Sequence, residues 1–262
     1  MILSYSKKFI FLHSRKTAGT SLAVLLANNL QEEDIMVGCW EHAYKHGVPY
    51  NKKTVNAAKK QVAHYLVYCL KNKLKGEQFS LNSKQINSLV KRHYKYKHGF
   101  LGTQTHSSAS CVKNFCPDLW HRAFKFAFVR NPWDHAVSDY YWRTQGSKKS
   151  GISFKEFLFL LDQPIKADPN KIRSPIITNW SVYTIDDQIM VDYVGRYENL
   201  QSEFNKISKY IGLESTELLI KEKGNFRDRS KSLESHYDEE SIELVRKIYQ
   251  KEIDEFNYNV PF

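Results

Sequence analysis

No stretch of the 262-residue sequence stays apolar for anything near the roughly 18 residues a membrane-spanning helix needs, so no membrane span is expected. The apolar run Phe9 to Leu12 follows the amino terminus too closely for a charged region, an apolar region and a cleavage site to precede it, and the expected location is cytoplasmic. The four cysteines, Cys39, Cys69, Cys111 and Cys116, form no C-x-x-C pair and have no histidine at zinc spacing. Free thiols and no bound metal are expected. No internal repeat is present, which excludes solenoid arrays. Acidic residues are short, 28 against 39 lysines and arginines, and the resulting net charge of +11 favours polyanionic partners without choosing among nucleotides, nucleic acid, acidic polysaccharide or an anionic membrane surface. Composition is otherwise that of an ordinary globular chain, long enough for one large domain or a domain with an insertion.

The most informative stretch joins that first apolar run to a turn with one glycine and several hydroxyls, His13-Ser14-Arg15-Lys16-Thr17-Ala18-Gly19-Thr20-Ser21. Four apolar residues suit a short strand buried on both faces. From Ser21, the spacing of Leu22, Leu25, Leu26 and Leu30 predicts a helix. Unpaired N–H groups at a helix start carry the positive end of the dipole, and Lys16, Thr17, Thr20 and Ser21 add charge and hydroxyl donors, so the loop suits phosphate or sulfate. It is not a Walker loop, because Lys16 precedes Gly19 and the first glycine is missing.

Further on, residues 38–49 read as loop, residues 54–74 as one long amphipathic helix ending at Gly76, and a second helix runs from about Ser83 past Tyr94. The polar faces of these two helices carry Lys71, Lys73, Lys75, Lys84, Lys91, Arg92, Lys95 and Lys97, which reads either as a solvated basic face or as a docking surface for an anionic acceptor. A short strand at 100–102, a helix at 108–115, a strand at 124–129 and a helix opening on Pro132 come next. A helix capped by Ser153, a proline-punctuated loop at 164–175, a strand at 190–194, a helix ending at Gly212, a polar loop at 221–235 and one long helix at 238–256 complete the chain. Apolar strands alternating with helices give an α/β fold with a mainly parallel central sheet.

The run R-K-T-A-G-T-S-L after an apolar strand resembles the phosphosulfate-binding loop of sulfotransferases that use 3′-phosphoadenylyl sulfate (PAPS). In the carbohydrate-type, family-2-like branch this loop usually reads H-I-P-K-T-A-G-T-S. His13 and Lys16 to Ser21 match it, and Ser14 and Arg15 stand in place of the isoleucine and proline. F-V-R-N-P-W-D-x-x-V-S, from Phe128, is similar to the family's 3′-phosphate motif, with Arg130 and Ser138 at the phosphate-holding positions and His135 where arginine is common. Residues 194–200 and, more weakly, Phe256-Asn257-Tyr258 extend the likeness. The resemblance implies a single sulfotransferase domain over 1–262, flanked by helices in a three-layer architecture like that of P-loop NTPases, with a helical insertion at about 50–98. It implies PAPS as donor and 3′-phosphoadenosine 5′-phosphate (PAP) as product, held by Arg15, Lys16, Thr17, Ala18, Gly19, Thr20, Ser21, Arg130 and Ser138. The implied acceptor is a hydroxyl, with carbohydrate expected and nucleic acid not.

Sulfuryl transfer must neutralise a leaving phosphate and remove the acceptor's proton. Lys16 fits the first role. His106 is the leading base, because histidine titrates near neutrality and the family's carbohydrate branch carries a base shortly before the 3′-phosphate strand; Glu41 and His42 are alternatives. His13 reads as a support for the loop. An ATP-dependent P-loop kinase and a noncatalytic basic binder of nucleic acid or acidic glycan are the competing readings.

Overall fold

The computed structural model describes residues 1–97, 104–144, 151–164, 168, 172–213 and 230–262. The strand expected at 100–102 and much of the loops at 164–175 and 221–235 lie outside these residues. Its centre is a five-stranded sheet in the order β3-β1-β2-β4-β7, built from β1 (Ile2–Ser4), β2 (Phe9–Phe11), β3 (Ile35–Met36), β4 (Phe124–Val129) and β7 (Tyr193–Arg196). Only β1 is reversed: it is antiparallel to β2 and β3, whereas β2, β4 and β7 pair in parallel. Phe9, Ile10, Phe11 and residues 126–129 are all buried, which is why these strands read as continuous apolar runs.

Helix α1 (Gly19–Ala27) follows β2, and α8 (Pro132–Thr144) follows β4. Two parallel strands side by side therefore deliver two strand-loop-helix units to one edge, about 5 Å apart. A second apolar cluster, with Trp133, Val137, Phe157, Leu158, Val245 and Tyr249, joins α8 to α9 (Phe154–Asp162) and α12 (Glu239–Ile248). The serine at 153 caps α9 as expected and shares a capping box with Glu156.

Several expectations are corrected. Residues 38–49 contain a helix, α2 (Trp40–Lys45), entered through Cys39 in the left-handed region and anchored by the buried Trp40 ring. The long helix at 54–74 is two helices, α3 (Lys52–Lys59) and α4 (Val62–Leu74), because Asn51 caps the first three residues earlier and Gln61 leaves helical geometry. The last helix breaks at Tyr249 into α12 and α13 (Gln250–Phe256). The strand expected at 190–194 forms at Tyr193–Arg196. It is preceded by α10 (Trp180–Tyr183) and a hairpin of β5 (Thr184–Ile185) and β6 (Gln188–Ile189), whose turn residues Asp186 and Asp187 both have positive φ. Helix α5 (Ser83–Lys97) lies in the expected second helical segment, and α6 (Ala109–Phe115) opens on the N-cap Ser108.

Candidate active site

The loop between β2 and α1 is tightly wound. Lys16 (φ 59) and Ala18 (φ 57) both occupy the left-handed region, which costs free energy for residues with a side chain and concentrates at working sites. Ala18 is the N-cap of α1 and has no side chain that could cap, so the first N–H groups of the helix are not closed off by a side-chain acceptor there. Gly19 is required for space: a Cβ there would lie 2.1 Å from the His13 ring. His13 is itself buried, stacked on Phe11, with Nδ1 3.9 Å from Cys39 Sγ. It lies beneath the loop it was expected to support. Ser14 Oγ, buried in the same turn, has no hydrogen-bond partner among the described residues.

The second unit closes on the first. Arg130, at the end of β4, donates from Nη1 to the Lys16 carbonyl at 2.8 Å and from Nε to Asp134 at 2.7 Å, with its guanidinium 4.1 Å from the centre of the Tyr197 ring. Asp134, Ser138 and Trp142 follow at four-residue intervals, so one row of α8 runs along the loop. Trp142 carries the Lys16 ammonium 5.0 Å from its ring centre. Ser138, between them, is half-buried. The Asn131 backbone N–H donates to Glu198 Oε1 at 2.5 Å, and Tyr258 donates to the other Glu198 oxygen at 3.1 Å, so residues near 198 and 258 are gathered behind Arg130.

The neighbouring row of α8 points inward. Asp139 accepts from Arg15 Nη2 at 2.5 Å, and Arg15 Nη1 donates to the Ile176 carbonyl. Burial alone would raise the Asp139 carboxyl, but Arg15, His135 and Arg143 hold it below its ordinary value. The Arg15 guanidinium is thus committed to the protein interior and braces the loop from below. His135 is buried against the Tyr249 hydroxyl at 3.1 Å, and desolvation pushes its pKa down to about 3, so this position carries no charge near neutrality.

Asn179, distant in sequence, braces Arg15 through its backbone. Its Oδ1 accepts the Arg15 N–H at 2.7 Å and its Nδ2 donates to the Arg15 carbonyl at 3.0 Å. Asn179 N–H in turn donates to Glu252 Oε1 at 3.0 Å. Burial holds the Glu252 carboxyl up at about 7 against an ordinary 4.5. The folded protein therefore binds this proton more tightly than the unfolded chain, and stability falls as pH rises from 4.5 to about 7. Glu252→Gln keeps an acceptor for Asn179 and is expected to flatten denaturant midpoints across that window; an unchanged slope would remove Glu252 as its source.

His106, in the short 3-10 turn Gln104–His106, sits over the strand end of the first loop. Its Nδ1 is 2.6 Å from the His13 carbonyl, and the two rings meet edge to face at 4.8 Å. A carbonyl only accepts, so Nδ1 carries the hydrogen and the lone pair of the neutral ring is on Nε2. Glu41 lies on α2, 3.8 Å from Lys84, with His42 beside it. The structure thus brings His13, Lys16, His106, Arg130 and Ser138 to one end of three adjacent parallel strands and turns Arg15 away. Trp142, Asp139, Asn179 and Tyr197 have no role in the sequence reading, although Trp142, four residues beyond Ser138, and Tyr197, within the 194–200 stretch, had a local signal.

The chain belongs to the sulfotransferase family: a family-2-type family model matches residues 1–259. It is also similar to an uncharacterized protein of Archaeoglobus fulgidus, 34% identical over 94 residues, covering 34% of this chain and 67% of that one. No solved structure matches it.

Proposed function

We propose that the protein transfers a sulfuryl group from PAPS to a hydroxyl, with carbohydrate as the acceptor class, and that residues 1–262 form one catalytic domain of the P-loop-like three-layer type. The observation that carries this reading is the hydrogen bond from Arg130 to the Lys16 carbonyl, which joins two anion-suited strand ends into one site. A nucleotide with phosphate groups at both ends of its ribose needs such a pair. The donor set fits: backbone N–H groups at the start of α1, the hydroxyls of Thr20 and Ser21, and Lys16 for the 5′ side, with Arg130 and Ser138 for the 3′-phosphate; the buried Thr17 hydroxyl instead donates to the Ser14 carbonyl at 3.2 Å and holds the turn. PAPS supplies the sulfuryl group when bound. Lys16 stabilises negative charge on the leaving phosphate oxygen, and His106 Nε2 takes the acceptor's proton as the new S–O bond forms. A Walker acid for magnesium would be expected where the second strand ends in Arg130, which disfavours a kinase.

Calorimetric titration with PAP, and separately with ATP and magnesium, tests the assignment. PAP is expected to bind and ATP with magnesium to bind far more weakly. The reverse order would favour the kinase, and no binding of either would favour a noncatalytic binder. Comparison of PAP with adenosine 5′-phosphate then isolates the 3′ site. Arg130→Ala is expected to cost PAP about 1.5 to 3 kcal/mol of binding and Ser138→Ala about 1. Because Arg130 also holds the Lys16 carbonyl, part of its loss falls on both ligands, and the readout is the difference between them. Equal losses for both ligands would remove the 3′-phosphate role.

A further inference from the structure

Helix α4 presents its apolar stripe to solvent. Val62, Leu66, Leu70 and Leu74 recur every four residues, with Val67 beside them, and are 61, 47, 53, 87 and 46% exposed respectively; Phe79, just beyond the helix, is 55% exposed. The side that packs carries the buried Asn72, with the buried Cys69 at the border between that side and the stripe. Asn72 and Gln85 exchange two amide hydrogen bonds at 2.9 and 2.8 Å, fixing α4 to α5. The stripe is therefore the outer face of a helix already held on its inner face. A contiguous exposed apolar face of this kind marks an interaction surface.

Charge narrows the occupant. Residues 50–97 contain twelve lysines and arginines and one acid, Glu77, so this segment carries the chain's entire formal charge of +11 and the remainder balances. Lys71, Lys73 and Lys75 lie exposed along the end of the stripe, and Lys59 and Lys60 lie at its start. A second copy would bring the same patch against itself, as twofold contacts require, and the two positive segments would repel. An apolar stripe edged by lysines matches a bilayer whose headgroups are anionic: the leucines enter the acyl boundary while the ammonium groups stay at headgroup level.

We infer that α4 is an in-plane docking helix for an anionic lipid surface. The inference does not depend on the chemistry of the sulfuryl site, and none of its residues belongs to that site.

Co-sedimentation tests it with vesicles of phosphatidylcholine alone and of phosphatidylcholine containing about a third phosphatidylserine. Partition onto the anionic vesicles is expected to be at least about tenfold higher and to weaken with salt. Leu66→Glu with Leu70→Glu is expected to lower it about tenfold or more, and Lys71→Glu with Lys73→Glu and Lys75→Glu to abolish the preference for anionic lipid. Circular dichroism and thermal unfolding should be unchanged in both, since these side chains face solvent. Equal partition onto both vesicle types, or binding insensitive to the leucine changes, would overturn the inference. So would a concentration-dependent dimer that Leu70→Glu dissociates, or loss of lipid binding accompanied by retained, stripe-dependent capture of an acidic protein.

Discussion

Lys16→Ala is expected to reduce sulfuryl transfer by about a thousandfold or more, into the background, with little change in thermal unfolding. Removing a preorganised donor to developing oxyanion charge costs about a hundred- to a thousandfold in well-studied sites, and a full positive charge exceeds a neutral donor. The folded protein loses little, because Lys16 is only half-buried and its packing is a cation–π contact with Trp142, worth roughly 0.5 to 1 kcal/mol when exposed. Alanine also accepts the left-handed backbone at position 16 no worse than lysine does. Affinity for PAP should fall as well, since the proposed site sets the ammonium on its 5′-phosphate side. Lys16→Arg separates charge from reach: it should recover product binding better than turnover, because a planar fork cannot take the place of a mobile point charge at the bridging oxygen. Near-normal turnover in Lys16→Ala with unchanged unfolding would sink the loop's assignment.

His106→Ala is expected to lower kcat by about a hundredfold or more while donor binding is retained, and to remove the acid limb of the rate profile. An acceptor hydroxyl is a poor nucleophile at neutral pH, and its proton must leave as sulfur is attacked. The bond from Nδ1 to the His13 carbonyl orients the ring and leaves Nε2 as its basic position. Because that bond also ties the turn at 104–106 to the loop between β2 and α1, alanine removes a support together with the proposed base. His106→Asn distinguishes them: its amide can donate in the place of Nδ1 but cannot take up the proton. Equal loss in both variants, with kcat reduced and KM for the donor steady, assigns the effect to the missing base. Recovery of rate by asparagine, or a retained pH profile in alanine, would leave His106 a positioning residue and move the base to Glu41 or His42, on the neighbouring helix α2.

Much of the candidate site was legible because its determinants are local. A strand, a turn and a helix start are encoded within about a dozen residues, and Arg130 and Ser138 are related by helical spacing alone. Short elements were not legible. Strands β1 and β3 have three and two residues, and α2 has six, so none shows a period long enough to read. Their stability comes from what they pack on, as when Trp40 buries its ring and donates to the Met36 carbonyl at 2.9 Å. Arg15 illustrates a different limit. Its position in the loop suggested a phosphate ligand, but an inward arginine needs a buried carboxylate, and Asp139 arrives from a helix 124 residues away.

By itself the amino-acid sequence determined the two strand-loop-helix units, their order, the family and the histidine opposite the loop, since each depends on neighbours in the chain. Only the tertiary structure decided that parallel pairing of β2 with β4 lets Arg130 reach the Lys16 carbonyl, and that the His13 carbonyl selects the ring nitrogen of His106 that keeps its lone pair. It decided the sense of α4 as well. Periodicity announces that a helix has an apolar face, but which face is covered depends on where the neighbouring helix lies, and here α5 covers the side opposite the leucines.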